Sequence, residues 1–166
     1  MSEHFILHPG QLTLQSIKNI LEKQLLCTLA ESALPAITAS HQTVKKVIQD
    51  NRTVYGINTG FGSLANQTIS PEHLKQLQRN IVLSHACGTG ELLSDGVVAL
   101  IMLLKINNLA QGYSGVRLEL IETLITLFNH KIYPCIPAKG SVGASGDLVP
   151  LAHMSLPLLG VGEVRH

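Results

Sequence analysis

The stretch Gly140-Ser141-Val142-Gly143-Ala144-Ser145-Gly146-Asp147-Leu148 holds the most reactive possibility in the chain, because an Ala-Ser-Gly tripeptide can make an electrophile from its own backbone. In a tight bend the amide nitrogen of Gly146 attacks the carbonyl of Ala144. Loss of two waters, one of them carrying away the Ser145 hydroxyl, leaves a 4-methylideneimidazol-5-one. Each residue type serves that closure. Gly146 has no Cβ to block close approach or unusual dihedrals, Ser145 carries the leaving hydroxyl, and Ala144 fits the bend. Other readings of the same residues are weaker. Gly143-Ala144-Ser145-Gly146-Asp147 matches a nucleophile elbow except for its final glycine, and no apolar strand precedes it. The glycines recur every three residues ahead of a helix, as in a phosphate loop, but no Gly-Lys-Ser/Thr follows and a βαβ setting is missing. A plain glycine-rich turn into a helix stays open on these residues alone.

Two further segments carry candidate chemistry. Val54-Tyr55-Gly56-Ile57-Asn58-Thr59-Gly60-Phe61-Gly62 places a tyrosine beside three glycines, where a moving loop can carry a phenol into a site. A phenol ordinarily titrates near pH 10, so a tyrosine serving as base near neutrality needs positive charge or donated hydrogen bonds around it. Ser84-His85-Ala86-Cys87-Gly88 puts an imidazole at a helix end, able to bind a polar substrate or move a proton. Taken singly, the tyrosine reads equally as a packing group and the histidine as a structural one. The other histidines are scattered, without metal-ligand spacing, and no metal site is predicted.

The elements that must position these segments are mainly helical. Thr13 caps a helix in which Leu14, Ile17, Ile20, Leu21 and Leu25 recur at helical spacing. A second helix is predicted from 38 or 40 to 49, with Val44, Val47 and Ile48 inward. A Gly-, Asn- and Thr-rich loop over 51–70 follows. Ser70-Pro71-Glu72 then reads as N-cap, first-turn proline and first-turn acid of a helix running to 83 or 86. Ser94-Asp95 starts a helix that is apolar nearly all round, as expected of one buried in a larger body. Another spans about 116–129. Pro134 and Pro137 enforce an extended connection, and a final apolar helix begins around Asp147 with Pro150 in its first turn.

Composition narrows the function classes. The 166 residues are 45% hydrophobic, and 12 basic residues face 11 acidic ones for a formal charge of +1. That balance gives no basic stripe for nucleic acid or a membrane surface. Cys27, Cys87 and Cys135 form no CxxC pair and leave one unpaired in any scheme, favouring reduced structural thiols and a cytoplasmic location. No signal core or apolar run of membrane length is visible.

In combination, 55–62, Ser84-His85 and Gly143-Ala144-Ser145-Gly146-Asp147-Leu148 resemble the aromatic amino acid ammonia-lyases, most closely their histidine-directed branch. Arg79-Asn80, Gln111-Gly112-Tyr113-Ser114-Gly115-Val116-Arg117 and 134–137 add to the match, which spans nearly the whole chain. The resemblance implies the amino-terminal part of that helical fold, with glycine-rich active-site loops. It implies that Ala144, Ser145 and Gly146 cyclise into the methylideneimidazolone with no external cofactor, and that this ring makes the substrate amine a leaving group. It further implies Tyr55 as the base for the β-proton, Gly62 beside the substrate, and His85 on the substrate imidazole. Phenylalanine- and tyrosine-directed relatives typically carry Phe-Leu or His-Leu in place of Ser84-His85. The Ser-His pair therefore points to L-histidine, with trans-urocanate and ammonia as products. The positive end of a helix dipole beside the ring would favour negative charge developing there.

Family members are about three times as long, and form homotetramers whose sites draw on downstream residues and neighbouring subunits. Residues 1–166 are accordingly expected to be a single amino-terminal segment, inactive alone, uncyclised for want of packing that strains the bend, and prone to self-association through exposed apolar helices. The alternatives are an aminomutase sharing the electrophile, or a truncated regulatory or interaction protein.

Overall fold

The computed structural model describes residues 3–62, 65–143 and 146–166. Helix α1 (Leu14–Lys23) begins at a capping box, the Thr13 hydroxyl accepting the Ser16 N–H at 3.1 Å and the Ser16 hydroxyl accepting that of Thr13 at 2.9 Å. These bonds satisfy two donors that a helix start otherwise leaves unpaired. On either side lie two short strands, β1 (His4–Leu7) and β2 (Leu26–Leu29), paired in parallel with Leu7 opposite Leu29. Helix α2 (Leu34–Gln49) starts earlier than the expected 38 or 40. A 3-10 turn (Glu31–Ala33) leads straight into it, and Pro35 takes a first-turn position where its missing N–H is tolerated.

Helix α3 (Pro71–His85) follows the expected pattern, with Pro71 and Glu72 in its first turn and His85 as its last residue. Ser70 stands at the N-cap, but its hydroxyl pairs with His73 Nδ1 at 2.8 Å instead of a backbone N–H. Helix α4 (Asp95–Leu109) starts after Ser94 as expected, and α5 (Leu118–Asn129) starts two residues later than predicted. The core gathers on α4: Val98, Met102, Leu103 and Ile106 are fully buried and cluster with Ile121 and Leu124 of α5, Leu7 of β1, Ile20 of α1 and Ile37 of α2. Full burial of each such side chain contributes about 1.5–3 kcal/mol. Val97 and Leu104 of α4 remain exposed. The Asn129 amide closes α5 against β2, accepting the Cys27 N–H and donating to the Cys27 carbonyl, each at 2.8 Å.

After α5 the chain is extended, as the two prolines require: β4 (Tyr133–Pro134) and β5 (Pro137–Lys139). β4 pairs antiparallel with β6 (Val164–Arg165), and β5 with β3 (Thr89–Leu92). The Arg165 guanidinium donates to the Leu93 carbonyl at 2.6 Å and to Asp95 at 2.8 Å, tying β6 to the head of α4. Helix α6 (Leu148–Ser155) opens just past the glycine-rich run, with Asp147 at its N-cap and Pro150 in its first turn. No helix among the described residues is long and apolar enough to cross a membrane.

One contact fixes α6 against the rest. The Gly88 N–H donates to His153 Nε2 at 3.0 Å. A Cβ on Gly88 would lie 3.1 Å from that nitrogen and 3.1 Å from Val149 Cγ1, and one on Gly140 only 2.7 Å from Val149 Cγ1. Gly140 also holds φ +137, which side-chain-bearing residues rarely adopt.

Two outcomes follow from this packing. Burial pushes the Cys27 thiol up to about 11, and Cys27 is fully buried while Cys87 is exposed. In native protein an aromatic disulfide reagent is expected to label Cys87 and to spare Cys27 until denaturant is added; equal native labelling rates would contradict the packing. The His153 pKa is lowered by burial, so below its ordinary value near 6.5 the unfolded chain binds the proton more readily than the folded one. Stability is therefore lost as pH falls from that value through the lowered one. Urea midpoints of wild type and His153→Gln between neutral and acidic pH should show the wild-type advantage shrinking over that range, and a constant difference would count against it.

Candidate functional site

The tyrosine loop is built around two buried polar residues, Asn58 and Thr59, which are 3% and 1% exposed. Asn58 Oδ1 accepts the Val54 N–H at 2.9 Å, its Nδ2 donates to the Arg52 carbonyl at 2.8 Å, and its own carbonyl accepts the Ile69 N–H at 2.8 Å. The Thr59 hydroxyl donates to the Gly60 carbonyl, and Gly60 N–H donates to the Gln67 carbonyl at 3.2 Å. A buried amide bonded through both its oxygen and its nitrogen resists displacement, because leaving either group unpaired costs about 1–3 kcal/mol. The frame holds the two arms of the loop together and pushes Tyr55 outward at φ +79 for the following Gly56. Tyr55 is 63% exposed and packs edge-on against Phe61, with ring centroids 5.4 Å apart.

His85 reaches the same place from the end of α3. Its Nδ1 lies 2.7 Å from the Ile81 carbonyl and 3.2 Å from the Ser84 hydroxyl. A carbonyl only accepts, so Nδ1 carries the proton, and in the neutral ring Nε2 keeps a lone pair for another partner. The adjacent Ser84 hydroxyl also donates to Ile81, at 3.0 Å. Ser84 thus supports the last turn of α3 and holds the ring's tautomer.

Tyr55, Phe61 and His85 line one cavity of about 370 Å³ together with Ile81 and Val82 of α3 and Leu148, Leu151, Ala152 and Ser155 of α6. The α6 residues fall at i, i+3, i+4 and i+7, one face of the helix. That volume suits a small organic molecule, and the walls are apolar with a phenol and an imidazole as convergent polar groups. The structure thus brings together two segments that are thirty residues apart in sequence with the helix that follows the glycine-rich run.

The remaining predicted residues lie around this cavity in different ways. Gly146 is described, at φ +108 with no atom within 4 Å of where a Cβ would stand. That φ is one that side-chain-bearing residues rarely adopt. Ala144 and Ser145 lie outside the described residues. Gly62 sits on the tyrosine loop at φ +59, exposed, and is not among the residues lining the cavity. Asp147 accepts a hydrogen bond from the Ser141 hydroxyl, closing the glycine-rich run over its own ends. Its carboxylate occupies the head of α6, so the helix's positive end is shared between this anion and any charge developing nearby. Sequence reasoning missed two residues that hold the site: Asn58, hidden in a polar loop, and His153, whose partner Gly88 is 65 positions away.

The family model described as "Aromatic amino acid lyase" matches residues 12–166. The chain is 80% identical over 166 residues to histidine ammonia-lyase from Legionella pneumophila (strain Corby), a match covering 100% of this chain and 33% of that protein. Among solved structures, histidine ammonia-lyase from Trypanosoma cruzi is similar with a TM-score of 0.86 at 36% identity, over 96% of this chain and 30% of the other. Pantoea agglomerans phenylalanine aminomutase is similar with a TM-score of 0.89 at 30% identity, over 99% and 31%. The chain spans about a third of the length of the curated relatives it matches. With that family model matching residues 12–166, the chain belongs to the aromatic amino acid lyase family.

Proposed function

We propose that this chain is the amino-terminal segment of an ammonia-lyase that converts L-histidine to trans-urocanate and ammonia. The observation that carries the reading is His85. It faces a cavity it shares with Tyr55, and its Nδ1 proton is committed to Ile81. A neutral Nε2 accepts from the N–H of a substrate imidazole, a contact that the leucine of phenylalanine- and tyrosine-directed relatives cannot make. The identity to proteins named histidine ammonia-lyase supports the same substrate.

In this reading Tyr55, as phenolate, takes the β-proton, the electron pair of that C–H bond forms the new double bond, and the Cα–N bond breaks to release ammonia. The prosthetic group expected from Ala144, Ser145 and Gly146 supplies an electrophile that makes the amine a better leaving group. Gly146 holds φ +108, a conformation open to glycine. Gly62 follows Phe61 on the loop that bears Tyr55, and its place beside the substrate is carried over from the family resemblance. The segment by itself is inactive and uncyclised, since two-thirds of the length of its relatives lies outside it. In full length the protein is a cytoplasmic homotetramer needing no external cofactor, and it binds neither nucleic acid nor membrane.

A second reading, an aminomutase, is favoured by the similarity to phenylalanine aminomutase. It differs in product: the amine returns to the β-carbon instead of leaving.

The test uses the full-length protein with L-histidine, following urocanate by its ultraviolet absorbance and any β-amino acid by mass spectrometry. Tyr55→Phe is expected to lower kcat by about 100- to 10,000-fold, the range for losing a general base. His85→Leu is expected to raise KM for L-histidine roughly tenfold, the worth of one hydrogen bond in a site of this kind. A β-amino acid as main product selects the mutase, and wild-type kinetics in both variants would remove these residues from the site.

A further inference from the structure

Helix α6 has two working faces. Leu148, Leu151, Ala152 and Ser155 line the cavity that holds Tyr55 and His85. Val149 and His153, one turn apart on another face, meet the backbone of Gly88 and Gly140. Those two glycines flank the paired residues Thr89 and Lys139, the end of the β3–β5 ladder. Gly88 follows His85 by three residues, and Gly140 opens the run that leads back to α6. The two chains that carry the imidazole and the glycine-rich run therefore converge on one pair of α6 side chains.

We infer that His153 is a positioning residue: by accepting the Gly88 N–H at Nε2, it sets the end of α3, and with it the His85 imidazole, against the glycine-rich run. The contact is specific in chemistry and in size. Gly88 N–H has His153 as its partner at 3.0 Å, and a Cβ on Gly88 would stand 3.1 Å from both His153 Nε2 and Val149 Cγ1, so a side chain there requires one of them to give. Acceptance at Nε2 requires the neutral ring with its proton on Nδ1, the form that burial favours. A hydrophobic residue in this place would fill the space but leave the Gly88 N–H unpaired between two packed segments. The turn would then relax toward another acceptor and swing the last turn of α3. This inference rests on the reading of His85 as the substrate-facing imidazole, but its test reads geometry in residues 1–166. The KM of the His85→Leu enzyme decides the other question separately.

The experiment is NMR of the full-length protein, isotope-labelled at glycine, histidine, isoleucine and leucine, as wild type, His153→Leu and His153→Gln. In the leucine variant, amide exchange at Gly88 is expected to accelerate about tenfold. The ring resonances of His85 should leave the Nδ1–H tautomer pattern, while amides of Ile121 and Leu124 in α5 keep their protection. The glutamine side chain offers an amide oxygen as acceptor, and His153→Gln should return Gly88 exchange to within about twofold of wild type and restore the His85 resonances. Unchanged Gly88 and His85 signals in the leucine variant would overturn the inference. So would loss of α5 protection to the same extent, which would make His153 merely a packing residue. If the leucine variant does not fold, the glutamine variant decides: wild-type His85 resonances support the inference and displaced ones overturn it.

Discussion

The structure depends on a close approach of two glycine backbones to the side chains of one short helix. At Gly88 and Gly140 the main chain lies against Val149 and His153 so closely that a methyl group at either position would stand 3.1 Å or less from its neighbour. Because Thr89 pairs with Lys139 between those glycines, the end of a two-stranded ladder is pressed as a unit onto α6. The ladder in turn fixes where α3 stops and where the glycine-rich run starts. A helix of eight residues has little stability of its own. α6 is held by this contact and by Ala152 and Met154, which are buried, and its other face then becomes a wall of the cavity.

The tyrosine loop meets that wall under a different kind of control. Its shape is fixed by Asn58, a single buried amide that bonds both sides of the loop, whereas Tyr55 itself is largely exposed. A rigid frame with an open tip leaves the phenol accessible. His85 is the opposite case: a helix end, a partner on its own preceding turn, and a tautomer set by a carbonyl. Catalysis of proton removal next to an amine needs both kinds of group, one free to approach and one already aligned.

Much of this was legible from local chemistry. Thr13, Ser70-Pro71-Glu72 and Ser94-Asp95 marked three helix starts, because an N-cap is decided within four residues. Pro134 and Pro137 marked an extended segment for the same reason. What depended on distant partners was hidden. The four-residue strands β1 and β2 are too short to show alternation, and they exist because each finds the other across α1. The early start of α2 was signalled by Pro35 but obscured by the alanines around it. Asn58 read as one more polar loop residue, since its burial is set by Val54, Arg52 and Ile69 folding around it. His153 read as one of several scattered histidines, since nothing near it in sequence names Gly88. Residue types picked out Tyr55, His85 and Gly146 as candidates. That Tyr55 and His85 share a cavity with α6 needed the fold, and Ala144 and Ser145 lie outside the described residues.

The central proposal is that Ala144-Ser145-Gly146 is the source of the electrophile used at this site. Peptide mass mapping of the catalytically active full-length protein tests it most directly. The account predicts that the peptide containing 140–148 is lighter by two waters, with the deficit confined to residues 144–146, and that the same peptide from the isolated 166-residue chain has its unmodified mass. An unmodified 140–148 peptide in fully active enzyme would contradict it.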